Sequence, residues 1–337
     1  MNSIQHWQAD NQSALDRRLS WLREQPSKTL FFEPSGVHFI SVKKIENLVQ
    51  LALLEQTSLS TQLLQSQFDL TDPLNLLSPY TQAMMLSLLW HPTPQRIYLA
   101  GFGGGRIPLV LHHFFPTARV ECSEIDPTLV EVAKNFFGVE LDDRLQVRIQ
   151  DGRSDLAAQE TTYDIIAIDV VLGTGYMPYS LATREFYQLC KRRLSASGVV
   201  TVNLLQPDPF YADRVKTLQG VFDWVGLVPL AGGNAVAIAT DGEGFSPEEI
   251  RDRAESLQAK LGFSFPLSER SGDFIAPPQL QEHLPELSSA QLLCDDSIPG
   301  GYFQSLPAFN TVFSLVDPKL PCPCGSGRLF ERCHGGG

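Results

Sequence analysis

The chain of 337 residues has no apolar run of about 18 or more residues, the length that crossing a bilayer as a helix requires. Its opening, Met1-Asn2-Ser3-Ile4-Gln5-His6, also lacks the basic-then-apolar order of a secretory leader. A cytoplasmic protein that neither spans a membrane nor is exported is expected. No run of lysine and arginine offers a local basic patch either. With 26 basic against 38 acidic side chains, the net charge of -12 repels a phosphate backbone, so nucleic acid is not an expected partner. Cysteine is scarce over most of the length. Cys122, Cys190 and Cys294 are scattered in apolar surroundings and read as buried thiols, whereas Cys322, Cys324 and Cys333 crowd the C-terminus beside His334. Clustered thiols in a cytosolic chain point to metal rather than to disulfides.

Hydrophobic residues make up 43% of the chain and charged ones 19%, enough for a full core in one large domain with appendages. Residues 1–28 are polar, with a short helix expected around Leu15 to Leu22. Residues 29–78 carry short β-rich runs, Leu30 to Phe32, Val37 to Val42, Leu48 to Leu54 and Thr61 to Leu64, which predict a small antiparallel sheet. From Gln95 onward strands and helices alternate. Strands are expected at Arg96–Ala100, Arg119–Ser123, Leu145–Ile149, Asp164–Ile168 and Val199–Asn203, then a hairpin across Ala231-Gly232-Gly233. Five alternating units closed by an antiparallel hairpin predict an α/β fold, the Rossmann-like, seven-stranded sheet of class I AdoMet-dependent transferases. Ser246-Pro247-Glu248-Glu249 is a capping box opening a helix that should stop at Gly262. The main domain is expected over 79–305, a linker over 306–320 and a metal-binding tail over 321–337.

The chemistry gathers at carboxyl ends of the strands. Gly101-Phe102-Gly103-Gly104-Gly105 follows the first strand of the main domain, and Gly101, Gly103 and Gly105 give the clearance a ligand arm needs beside backbone. A dinucleotide fingerprint would place its third glycine at position 106, which is Arg106. Glu124, ending the second strand, can accept bonds from both ribose hydroxyls. Asp126 is expected to cap the helix that begins at Pro127. Asp151-Gly152 follows the third strand, where a carboxylate can meet the adenine amino group. Asp169 ends the fourth and faces the reactive end of the ligand.

These residues, in this order after a β-rich leader, make the chain resemble the spermidine synthase (polyamine aminopropyltransferase) family over about residues 30–300. The matching pieces are Gln65-Ser66-Gln67, Tyr80-Thr81-Gln82, the glycine loop, Glu124-Ile125-Asp126, Asp151-Gly152 and Tyr163 to Asp169. The resemblance implies aminopropyl transfer from decarboxylated S-adenosylmethionine to an amine. Gln65 and the loop would line the donor, Glu124 would hold its ribose and Asp151 its adenine. Asp169 would act as base, with Tyr80 near the amine. Family enzymes carry a second aspartate three residues after the first; here that residue is Leu172, in Asp169-Val170-Val171-Leu172-Gly173-Thr174-Gly175-Tyr176. Methyl transfer from S-adenosylmethionine and a non-catalytic scaffold binding an adenosyl ligand stay open beside it. The β-rich segment's counterpart often builds a dimer interface, so a homodimer is among the assemblies allowed. Asp295-Asp296 resembles a late acidic pair of the family, although a turn is the commoner explanation for two aspartates before Ser297-Ile298-Pro299-Gly300.

In the tail, Cys322, Cys324, Cys333 and His334 offer three thiolates and an imidazole, a closed tetrahedral shell for structural zinc. The spacing resembles the SEC-C motif. With no coordination position left open, the module is expected to recruit a protein partner rather than perform chemistry, the metal supplying its folding energy.

Overall fold

In the computed structural model, residues 3–36, 38–55, 62–171 and 177–300 are described, with the isolated positions 329 and 332. The polar leader forms one helix, α1 (Ser3–Glu24), longer than its sequence suggested. Its Leu15, Leu19 and Leu22 are fully buried, four and three residues apart on one face. Leu15 and Leu19 land on Gly138, where a Cβ would stand 2.5 Å from Leu15 Cδ1. Asn11 Nδ2 meets His113 Nδ1 at 3.0 Å and Arg18 Nε donates to the Gly138 carbonyl at 2.8 Å, so the leader is fastened to the main domain.

The β-rich segment is the expected antiparallel sheet, β1 (Lys28–Ser35), β2 (His38–Ile45), β3 (Leu48–Glu55) and β4 (Gln62–Asp69), in that spatial order. Alternate residues on neighbouring strands, Ile40 and Val42, then Val49 and Leu51, are fully buried, as the period of two requires. The register slips once. Leu51 pairs with Ser66 and Ala52 with Leu64, which leaves Gln65 as the extra residue of a bulge. A short helix, α2 (Pro79–Met84), and a 3-10 turn (Met85–Leu89) lead into the main sheet.

That sheet is built from β5 (Arg96–Ala100), β6 (Arg119–Glu124), β7 (Leu145–Ile149), β8 (Tyr163–Ile168), β9 (Leu194–Leu205), β10 (Trp224–Pro229) and β11 (Asn234–Thr240). Their spatial order is β7-β6-β5-β8-β9-β11-β10, parallel except for β11, which confirms the seven-stranded class I arrangement. Helices α3 (Arg106–Phe114), α4 (Pro127–Phe136), α5 (Gly152–Ala158), α6 (Arg184–Arg193) and α7 (Tyr211–Gln219) connect the strands. The chain runs outward from β5 to β7, then returns to start β8 on the other side of β5. The switch point this creates, between β5 and β8, is where such sheets open a ligand crevice.

Helix α8 (Pro247–Leu261) has both arms of the capping box on Ser246 and Glu249, and Gly262 ends it at φ 69°. Residues 263–300, which offer little pattern in sequence, hold α9 (Leu267–Ser271), α10 (Leu280–His283) and short 3-10 turns. This segment folds back on the sheet edge, where Phe274 stacks on Trp224 at 5.6 Å. Among the described residues no helix is long and apolar enough to cross a membrane. Cys122, Cys190 and Cys294 are buried free thiols, as expected. The expected zinc ligands Cys322, Cys324, Cys333 and His334, and Leu172, lie outside the described residues.

Candidate active site

A cavity of about 580 Å³ opens over the switch point, roofed by the N-terminal sheet. Gln65, Tyr80, Gly101, Gly103, Glu124, Asp151, Gly152 and Asp169 all line it. Gly105 does not; at φ 66° it is the left-handed residue that starts α3. The bulge aims Gln65 into the cavity, while Ser66 beside it accepts the Gly104 amide at 3.1 Å.

Two glycines show why this loop tolerates no side chain. At Gly101 φ is 91°, and a Cβ would sit 2.2 Å from the Asp169 carbonyl oxygen. At Gly104 it would stand 2.6 Å from Ser66 Cβ. Strand ends are thereby drawn together, with Asp169 N–H donating to the Ala100 carbonyl at 2.9 Å and Gly101 N–H to that of Ser123 at 3.0 Å.

Glu124 does more locally than its position in sequence suggested. Its Oε2 accepts the amides of Phe102 and Gly103 at 3.1 and 3.2 Å, and its Oε1 accepts the Asp126 amide at 3.0 Å. The carboxylate therefore shapes the loop: Oε2 is filled by two amides, and one lone pair is left, on Oε1. Asp126 caps α4 through the Thr128 amide at 2.8 Å and also accepts the Ser35 hydroxyl, which ties β1 to the main domain. Asp151 is the N-cap of α5, accepting the Ser154 amide at 2.9 Å, so the Asp-Gly pair opens a helix as well as facing the cavity. Gly152 lies against the sheet, where a Cβ would be 3.0 Å from Ala100 Cβ.

Asp169 is held from two sides. Asn203 Nδ2 donates to its Oδ1 at 2.9 Å, and the Tyr80 hydroxyl donates to the same carboxylate. Burial pushes the Asp169 carboxyl up to about 6, against the two hydrogen bonds, which pull it down. Burial next to this carboxylate likewise raises the Tyr80 phenol well above its usual range, so it stays a donor. Asn234 Nδ2 donates at 2.9 Å to Asn203 Oδ1. That bond fixes which end of the Asn203 amide faces Asp169. Neither asparagine was legible as a site residue. Asn203 ends an expected strand and Asn234 begins one, with no motif around either, and only the β9–β11 pairing joins them. Replacing Asn203 with Ala removes one hydrogen bond to the ionised carboxylate, worth ~2 kcal/mol. The acidic limb of a kcat/KM pH profile should then move upward by about 1.5 pH units.

Two other expectations resolve as structure. Arg106, which argued against a dinucleotide, is buried: it donates to the Pro73 carbonyl and lies 4.7 Å from the Phe68 ring centroid, joining the N-terminal sheet to α3. Burial brings its guanidinium down to about 9. Asp295 does not reach the cavity. It pairs with Arg153 at 2.7 Å and accepts the Thr183 hydroxyl at 2.7 Å, and a bridge between Cys294 and Ser297 closes the turn around it.

A seven-stranded sheet with β11 reversed, a glycine turn after β5, and carboxylates after β6, β7 and β8 define a class I AdoMet-type transferase. The chain belongs to the spermine/spermidine synthase family. The model of the spermine/spermidine synthase domain matches residues 79–214, and that of the SEC-C motif matches residues 320–336. A polyamine aminopropyltransferase of Chromobacterium violaceum is 31% identical over 212 residues, covering 61% of this chain and 81% of that one. A probable spermidine synthase from Corynebacterium glutamicum has the same fold at 18% identity, with TM-score 0.64 over 82% of this chain and 98% of that one. Human methyltransferase-like protein 13, solved in complex with SAH, is 28% identical with TM-score 0.51, covering 55% of this chain and 93% of that one.

Proposed function

We propose that the protein transfers an aminopropyl group from decarboxylated S-adenosylmethionine to an amine, with Asp169 as the base. The observation that carries this reading is the position of the Asp169 carboxylate, between the glycine loop and the Tyr80–Asn203 pair, with its proton affinity raised. A sulfonium carbon is attacked only by a neutral amine, so a proton has to leave nitrogen as the new bond forms. Glu124 would take a ribose hydroxyl on the lone pair left on Oε1, Asp151 the adenine amino group, and Gln65 and the loop glycines would flank the donor. Family membership supports a donor of this kind.

Methyl transfer from S-adenosylmethionine is the second reading, and one observation favours it. Beyond Asp169, the described cavity wall toward β9 and β11 has no carboxylate to hold the ammonium of an aminopropyl arm. Calorimetry on the full chain tests both readings. Methylthioadenosine or S-adenosylhomocysteine should bind and NAD should not. Binding of neither adenosyl thioether would refute adenosyl-sulfonium chemistry here.

For the tail, we infer a structural zinc on Cys322, Cys324, Cys333 and His334, which holds the segment as a docking module for a protein partner. Three soft thiolates and an imidazole suit zinc. Elemental analysis should find roughly one zinc per chain, lost in Cys322→Ser. Equal zinc in the two proteins would sink the assignment.

A further inference from the structure

The cavity is divided by the strand order that creates it. Over β5, β6 and β7 its wall carries the glycine loop and the carboxylates of Glu124, Asp126 and Asp151. Over β8, β9 and β11 the wall is of another kind. There Val170, Val171, Leu181 and Leu205 are joined by the two amides Asn203 and Asn234, and Asp169 stands on the border. Among the described lining residues of this second half, Asp169 is the one ionisable acid, and two hydrogen bonds already engage it. In sequence, segments 56–61 and 172–176, outside the described residues, read Gln-Thr-Ser-Leu-Ser-Thr and Leu-Gly-Thr-Gly-Tyr and hold no acidic residue.

A dication placed here would find one anion for its reacting nitrogen and none for the other. An unpaired ammonium taken out of water into an apolar wall is strongly disfavoured, whereas an alkyl chain of the same length gains by burial. From this division of charge we infer that the acceptor is a small primary monoamine with an aliphatic body, and not a diamine or polyamine. The inference rests on the transferase reading above.

The transfer balances without a further reactant. The amine nitrogen forms a bond to the carbon attached to sulfur, and the carbon–sulfur bond breaks. Its electron pair stays on sulfur, which leaves as a neutral thioether, while the nitrogen's proton passes to Asp169 and on to water. The apolar half holds the alkyl body, and the Asn203 and Asn234 amides keep the carboxylate turned toward the nitrogen.

Pentylamine and putrescine isolate the question, since they differ in having a methyl where the diamine has its second ammonium. With the full chain, and with decarboxylated S-adenosylmethionine and S-adenosylmethionine each tried as donor, thioether release should show kcat/KM for pentylamine about 10–100-fold above that for putrescine. Val171→Asp, which puts a carboxylate into the apolar half, should narrow or reverse the ratio. Thermal melts with methylthioadenosine report whether that variant keeps its fold and its donor site. Equal or faster turnover of putrescine by the native protein overturns the inference. So does donor binding with turnover of neither amine. If no adenosyl compound binds, the transferase reading itself fails, and calorimetry distinguishes that case from the other two.

Discussion

Replacing Asp169 with Asn lowers kcat/KM by about 10²–10⁴-fold, the usual contribution of a positioned general base, and leaves methylthioadenosine affinity within a few-fold of native. The amide has nearly the carboxylate's shape and can still accept from Asn203 and Tyr80, so the cavity keeps its form while the proton acceptor is gone. The pH dependence gives a second reading of the same group. On the proposed reading a base at Asp169 acts only when ionised, so native activity should rise as pH passes about 6 and level off above it, and Asp169→Asn should lose that limb. Stability should move the other way. Folding raises this carboxyl from 3.8 to about 6, so its contribution is full below 3.8 and is lost as pH rises through about 6. At pH 7.5 the native protein therefore carries a buried charge that Asn removes, and the melting temperature of the variant should be no lower. A pH-independent loss of activity, or a large fall in melting temperature, would contradict the assignment.

The second large effect is expected at Gly101. Gly101→Ala meets two obstacles together: φ of 91° is poorly accessible to a residue with a Cβ, and that Cβ would fall 2.2 Å from the Asp169 carbonyl oxygen. Because the obstacle is backbone, no side-chain rotation relieves it. The β5 and β8 ends must part, which breaks the Asp169–Ala100 bond and displaces both the donor loop and the base. A destabilisation of about 2–4 kcal/mol is expected from strain and lost bonds, with adenosyl-thioether affinity reduced by at least about 100-fold, ~2.7 kcal/mol. Urea denaturation and calorimetry measure the two separately. Gly36→Ala, where a Cβ meets nothing within 4 Å, controls for the positive φ alone, since φ there is 55°. If the two variants behave alike, contact between loop and base is not what the glycine protects.

Much of this protein is governed by short stretches of chain, which is why its sequence declares them. Strands β5 and β7 run over the expected residues because each is a brief apolar run bounded by its own stop signals. Capping by Asp126, Ser246 and Gly262 depends on residues two to four apart, and the glycine loop on backbone angles that those residues alone permit. Gly101, Glu124, Asp151 and Asp169 were recognisable because each directly follows or ends a strand, and strand ends of a parallel sheet face one crevice.

What joins distant segments was not legible. Nothing near Asn203 or Asn234 marks them as partners of Asp169; β11 must first insert beside β9. Leader helix α1 has little apolar content, and Leu15 and Leu19 gain meaning only against Gly138, more than a hundred residues away. The same holds for Arg106 on Phe68 and Arg153 on Asp295. Local sequence determined the parts because short-range sterics and hydrogen bonding suffice to select them. Tertiary structure alone decided which carboxylate is buried, which amides hold it and where the cavity turns from acidic to apolar, because those properties belong to groups that only the closed sheet brings within reach.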